Sequence, residues 1–288
     1  MVIDYSRKYI QRAAGVALVV LLLAAPTKLV SAQEPAINAL PFSRGEELVY
    51  RAEFSRGLLR GVDVAEFRFK ANTEHASAPE GATGDPVTIN LMGDVITKGL
   101  FVRVAGFHFH QHVESAVDPT PFVALRTSKL YEQGKRARVS EAVFDHQAHK
   151  VTWSERDPNQ SGSTTTTILE FSEPIQDVLT VIYFIRTQRL EVGKSFDIPL
   201  SDSGRVFRMS VAVVERKRID TVLGRVNAFR VEPAMFGATN LSRSRGQLSI
   251  WITDDDRHLP VKAQLKVDLG TFDIKLNRLS FPETRQAR

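Results

Sequence analysis

The sequence predicts an all-β protein, an antiparallel sandwich or barrel packed around a single helix. Three observations predict it. Apolar and polar residues alternate in short runs along most of the chain, the period of a half-buried strand. Glycine, proline and aspartate punctuate those runs at the spacing of hairpin turns. One stretch breaks the pattern: from Val178 to Ile185 every residue except Thr180 is apolar. That run is too long for an average strand and too short to cross a bilayer. It reads as a helix of about residues 174–190, buried on most faces, with Pro174 in its first turn and Asp177 or Glu173 available as a cap.

The N-terminus carries a targeting signal. Arg7, Lys8 and Arg12 precede an apolar segment, Ala13–Ala25, and Val30-Ser31-Ala32 is a small-residue cleavage site. The apolar segment has the length of a secretory signal peptide and is shorter than a membrane span. Residues 1–32 are therefore expected to be removed after Ala32, residues 33–41 to form a disordered leader, and 42–288 to be one β-rich domain in the periplasm or outside the cell. Residues 1–32 hold four cations against Asp4, +3 of the chain's +5, which leaves +2 on the mature protein. A nucleic-acid partner is not expected at that charge. The mature chain should have no membrane span. With no cysteine, a disulfide framework, a thiolate metal site and a cysteine nucleophile are excluded.

Along the chain, Leu48, Tyr50, Ala52 and Phe54 form one face of a first strand, and Val62–Phe69 makes a second that closes a hairpin over Leu58–Gly61. Asn72–Pro86 reads as a loop, then Val87–Met92 as a strand and Val95–Phe101 as a turn of helix. Strands follow at Val102–Val113, Phe122–Tyr131, Ala137–Phe144 and Lys150–Ser154. A polar loop over Asp157–Thr167 leads to Ile168–Phe171 and the helix. Beyond it, strands are expected at Phe196–Leu200, Val206–Lys217, Val226–Pro233, Gln247–Thr253, Pro260–Val267 and Phe272–Leu276. No fixed-period repeat is evident, so a propeller is not expected.

Four segments together resemble the DUF3108 family of exported bacterial proteins: GEELVY at Gly45–Tyr50, QDVLTVIYFIRT at Gln176–Thr187 with VGKSFDIPL after it, the segment Gly224–Pro233, and WITDDDRHLPVKAQLKVDLGTF at Trp251–Phe272. The resemblance implies a partly open barrel with a helix lodged against it, and carries over no catalytic residues. The resulting fold expectation is an antiparallel curved sheet or partly open barrel with one buried helix. Whether it is one barrel or two β-layers stays open.

Site signals are sparse. His108, His110 and His112 fall at i, i+2, i+4 and would share one strand face. Alternate strand residues lie nearly 7 Å apart, so three imidazoles cannot readily share one ion, and a metal site would need His146 or His149 as well. No metal and no cofactor is expected. Asp254–Asp256 suits a hairpin turn better than a calcium loop. Arg186 and Arg189 end the helix, where they could bond its last carbonyls or face a cavity and hold an anion. No G-x-S-x-G, P-loop or G-x-G-x-x-G occurs. The expected function is an exported binding module for an apolar or amphipathic envelope molecule, lipid-like or glycan. Two alternatives are a carbohydrate-active enzyme with Trp153 in an aromatic groove, and an assembly factor that binds protein partners through strand edges.

Overall fold

The computed structural model describes residues 40–75, 87–99, 102, 108–160, 162, 164–235 and 245–281. Among these residues fourteen strands form one antiparallel sheet; thirteen correspond to strands expected from the sequence, and β8 covers the segment between the polar loop and the helix that had no strand assigned. The first eight are β1 (Glu46–Arg56), β2 (Leu59–His75), β3 (Val87–Thr97), β4 (Phe109–Pro119), β5 (Phe122–Gln133), β6 (Arg136–Asp145), β7 (Lys150–Arg156) and β8 (Thr165–Glu170). The helix α1 (Thr180–Thr187) follows. Six more strands complete the sheet: β9 (Ser195–Asp202), β10 (Arg205–Thr221), β11 (Gly224–Pro233), β12 (Gly246–Thr253), β13 (Pro260–Val267) and β14 (Gly270–Ser280).

Each strand pairs with its neighbour in sequence, so β1–β8 and β9–β14 are two meanders. They join where β14 pairs with β1, in the register Tyr50 with Leu276 and Phe54 with Phe272. The edge strands β8 and β9 do not pair, and the sheet is open.

The connector before the helix bridges the two meanders instead. Ile175 accepts a hydrogen bond at its carbonyl from Ala124 of β5, 3.2 Å. Gln176 forms a parallel bridge with Leu200 of β9: its N–H donates to Pro199 O, and its carbonyl accepts from the Ser201 N–H, both 2.9 Å. Its side-chain amide donates to Phe122 O at 2.6 Å. Lys129 of β5 pairs with Asp202 of β9 across the same gap.

This use of the backbone explains why the helix is shorter than expected. Ile175 and Gln176 are committed to bridging β5 and β9, so regular helix begins only at Thr180, after a turn at Val178 and Leu179, and Pro174 lies exposed outside it. Asp177 still caps the helix, as one of the two expected candidates. Its Oδ1 accepts from the Leu179 and Thr180 N–H groups at 2.7 and 2.8 Å, and the Thr180 hydroxyl accepts from the Asp177 N–H. That is the reciprocal arrangement of a capping box, with threonine in place of glutamate. At the far end Gln188 is already extended, with ψ 146°.

The helix packs between the meanders with opposite sides. Leu179 and Tyr183, one turn apart, meet Ala71, Ile89, Leu91, Val113, Val117 and Phe122 from β2–β5. Val181 and Ile185 meet Ile198, Leu200, Met209, Val211, Val213, Phe229, Val231 and Ile252 from β9–β12. Ile182 and Phe184 touch both clusters. They and Val178 are only half-buried, so the helix is buried on most faces, as expected, while one flank borders open space.

Other boundaries differ for local reasons. β2 runs on to His75, into the segment expected as a loop, because Ala71–His75 pair with β3 in continuous register. Val95–Thr97 are strand, paired with Ala65–Phe67, and not a turn of helix. β4 starts at Phe109 and runs to Pro119, later than expected. Thr165–Thr167 belong to β8, paired with Glu155–Trp153, and not to the preceding loop. Leu40 and Phe42 pack on the β2–β5 cluster, so the last residues assigned to the leader belong to the fold. Residues 1–39, which include the expected signal segment, lie outside the described residues.

Candidate functional site

The helix leaves one flank of the sheet's inner face uncovered, and an apolar cavity of about 320 Å³ lies there. That volume falls at the lower end of the range for small-molecule sites. Val178, Val181, Ile182 and Ile185 form its helical wall. Phe67, Phe69, Met235, Leu248, Ile250 and Ile274 are among the sheet residues opposite, all half-buried. Exposed area on such apolar side chains costs free energy unless something covers it.

The lining holds two polar side chains, and both have partners elsewhere. The Tyr50 hydroxyl donates to Pro260 O at 2.6 Å, and burial pushes its phenol well above the usual range despite the opposing effect of Arg186 nearby. Lys262 places Nζ 4.8 Å from the centre of the Trp251 ring and 3.6 Å from Asp273. No carboxylate lines the cavity wall among the described residues.

Arg186 and Arg189 were the two cations expected at the helix end, and the structure separates them. Arg189 is exposed, pairs with Glu191 at 2.7 Å, and does not line the apolar cavity. Arg186 is completely buried, and its bonds run to the framework rather than to a ligand or the helix's last carbonyls. Its guanidinium grips Glu46 of β1 at 2.5 and 3.1 Å, with both side chains essentially without exposed surface. Its remaining donors reach Arg257 O at 3.1 Å and Pro41 O at 2.7 Å. The Arg186 carbonyl in turn meets His258 Nδ1 at 2.8 Å. Rings of Phe42 and Tyr183 flank the guanidinium at 5.3 and 5.6 Å.

This arrangement was not foreseen, although a signal was present: Arg186 directly follows the apolar run, and Glu46 opens a buried strand. Three of the four segments behind the family resemblance meet at this one point. The Asp254–Asp256 turn supports it as well, since Asp255 Oδ1 accepts from the Thr253 hydroxyl at 2.6 Å and the Arg257 N–H at 3.2 Å.

Trp153 does not line an aromatic groove. It lies over the β9–β10 turn, close enough to Gly204 that a Cβ there would sit 3.0 Å from the ring. The crevice it shares with Glu141, Asp177 and Asp202 holds about 10 Å³, no more than one water. The histidine row is on the opposite, outer sheet face. His108 precedes β4 and is exposed. His110 faces Glu132 at 3.1 Å and Asp94 at 3.6 Å. His112 faces Asp94 at 2.7 Å and Glu114 at 3.1 Å. His146 stays in the β6–β7 turn, bonded to Ala124 O. Among the described residues no group of three histidine or carboxylate side chains has metal-binding geometry. Burial alone would lower the His112 pKa, but the hydrogen bonds to Asp94 and Glu114 outweigh it and hold the imidazole above its ordinary value.

The model of the DUF3108 family, described as a protein of unknown function, matches residues 49–277. No curated protein matches. Solved structures of similar outline include a beta-barrel-like protein of the DUF1849 domain from Brucella abortus, at 10% identity and a TM-score of 0.47, covering 84% of this chain and 100% of that one. A candidate exported protein with a YmcC-like fold from Bacteroides fragilis aligns at 8% identity and a TM-score of 0.33, covering 84% and 98%. Among the described residues no helix is long and apolar enough to cross a membrane.

Two outcomes follow. Removing one member of the buried pair leaves the other charge unpaired, so Glu46→Leu and Arg186→Met should each destabilise by about 3–5 kcal/mol in urea unfolding. The double variant should recover much of that loss, and additive losses would show that the pair is not coupled. The second concerns pH. Because the His112 pKa is raised on folding, its contribution should be fully present below about pH 6.5 and fall as pH rises through the folded value. His112→Gln should remove that fall from the stability–pH curve, and an unchanged curve would show that His112 does not titrate with the fold.

Proposed function

The chain belongs to the DUF3108 family, and we propose that it is an exported module that binds an apolar or amphipathic cell-envelope molecule in the cavity beside α1. The observation that carries this reading is the cavity itself, walled on one side by the helix and on the other by half-buried apolar residues of the sheet. An apolar chain placed there would bury surface on both partners, at roughly 25 cal/mol per Å². No polar lining group is free to demand a specific hydrogen bond, which suits a ligand recognised by shape and apolar area. The basic and apolar N-terminal pattern ending at Ala32 supports export, with the mature chain starting at Gln33.

Native mass spectrometry of protein recovered from the periplasm tests both parts. The chain mass should correspond to a start at Gln33, and an apolar small molecule should be retained. Displacing that molecule with the dye 1-N-phenylnaphthylamine should give saturable fluorescence. Ala263→Phe should weaken dye binding at least tenfold, because Ala263 lies on the cavity wall between Ile250 and Ile274. Protein that carries no apolar molecule and gives no saturable dye signal would contradict the reading.

A further inference from the structure

We propose that the adjacent tips of the β1–β2 and β13–β14 hairpins form a docking element for an anionic lipid surface. Both turns have two residues, and both place a leucine at the second turn position. The first is Gly57-Leu58, closed by Arg56 opposite Leu59. The positive φ of Gly57, 55°, meets the requirement of a type II′ turn at its first central position. The second is Asp268-Leu269, closed by Val267 opposite Gly270.

The tips are locked side by side, since β1 and β14 pair up to Ser55 with Thr271. Gly270 makes that approach possible, as a Cβ there would stand 2.6 Å from the Phe54 ring and 2.7 Å from Ser55 O. Leu58 is fully exposed at 103%, Leu59 at 56% and Leu269 at 52%. Two-residue turns usually carry polar side chains, so three projecting leucines on neighbouring tips form an apolar point that the fold itself leaves uncovered.

The flanking charge selects the partner. Arg56 and Arg60 bracket Leu58 and Leu59, both are exposed, and among the described residues neither makes an ion pair; the second tip adds the exposed Lys266 and Asp268, which offset each other, so the two tips together stay net positive by the two arginines. Exposed leucines set between unpaired cations match an interface whose acyl region takes the apolar side chains and whose anionic headgroups meet the guanidinium groups. The β10–β11 tip at the other end of the strands provides a contrast. Val222 and Leu223 are also exposed there, but Asp220 and Arg225 neutralise each other at 2.8 Å. This inference stands on the hairpin tips and not on the cavity, so it survives or fails independently of the binding reading.

The chain has no cysteine, which allows a dye to be attached at one chosen position. Leu58→Cys and, as a control, Val222→Cys would each carry an NBD label on the full-length chain. Vesicles of phosphatidylglycerol and phosphatidylethanolamine should shift the label at position 58 to the blue and raise its emission severalfold, with little change at position 222. Pure phosphatidylcholine vesicles should give a much smaller response. Adding Arg56→Gln and Arg60→Gln to the Leu58→Cys chain should raise the lipid concentration at half-signal by about thirtyfold, from roughly a fivefold factor for each of the two cations lost. The 1-N-phenylnaphthylamine signal of the cavity should not change in that variant. No shift at position 58, an equal shift at both positions, or equal responses to neutral and anionic vesicles would overturn the proposal. A label response that appears only with a protein partner would equally overturn it and assign the tips to protein contact.

Discussion

A guanidinium and a carboxylate with almost no exposed surface hold this fold in register. Arg186 enters from the helix and Glu46 from the first strand, and their bidentate contact joins the element that crosses the interior to the strand where the two meanders meet. Desolvating both charges is costly, and the geometry offsets that cost through further bonds from Arg186 to the Arg257 and Pro41 carbonyls. Three distant parts of the chain are thereby referred to one side chain. Apolar packing alone would let a short amphipathic helix slide or rotate along a smooth sheet face, whereas a buried ion pair has one satisfactory position.

The other end of the helix is fixed by backbone chemistry. Ile175 and Gln176 use their peptide groups to bridge β5 and β9, and Asp177 then caps the first turn. With both ends anchored, an eight-residue helix spans the interior without filling it. The cavity is the consequence. It lies on the flank where Val178 and Ile182 look toward β12–β14, and it persists because neither anchor permits the helix to close onto that side.

Much of the fold was legible in the sequence because strand alternation and turn residues are local signals. Leu48, Tyr50 and Ala52 alternate with Val49, Arg51 and Glu53 and are buried as expected, although Val49 is buried too. The apolar run from Val178 stood out for the same reason. What could not be read was long-range. The helix begins late because Gln176 is engaged by β9, a strand some twenty residues further on. Arg186 looked like a terminal cation because its partner, Glu46, is 140 residues away. Of the histidine row only His110 and His112 lie in β4, and their carboxylate neighbours Asp94 and Glu132 come from adjacent strands whose register the sequence alone does not fix. Trp153 was singled out by residue type, and its position over the Gly204 turn depends on the curl that brings β7 to β9–β10.

Hydrogen exchange of the native protein tests most directly whether the anchored helix is the strut between the meanders. The amides of Tyr183–Arg186 should exchange only through global unfolding, with the same protection free energy as the central residues of β1 and β14. Rapid exchange of the helix amides while β1 and β14 stay protected would contradict the account, because it would show that the sheet holds its form with the helix detached.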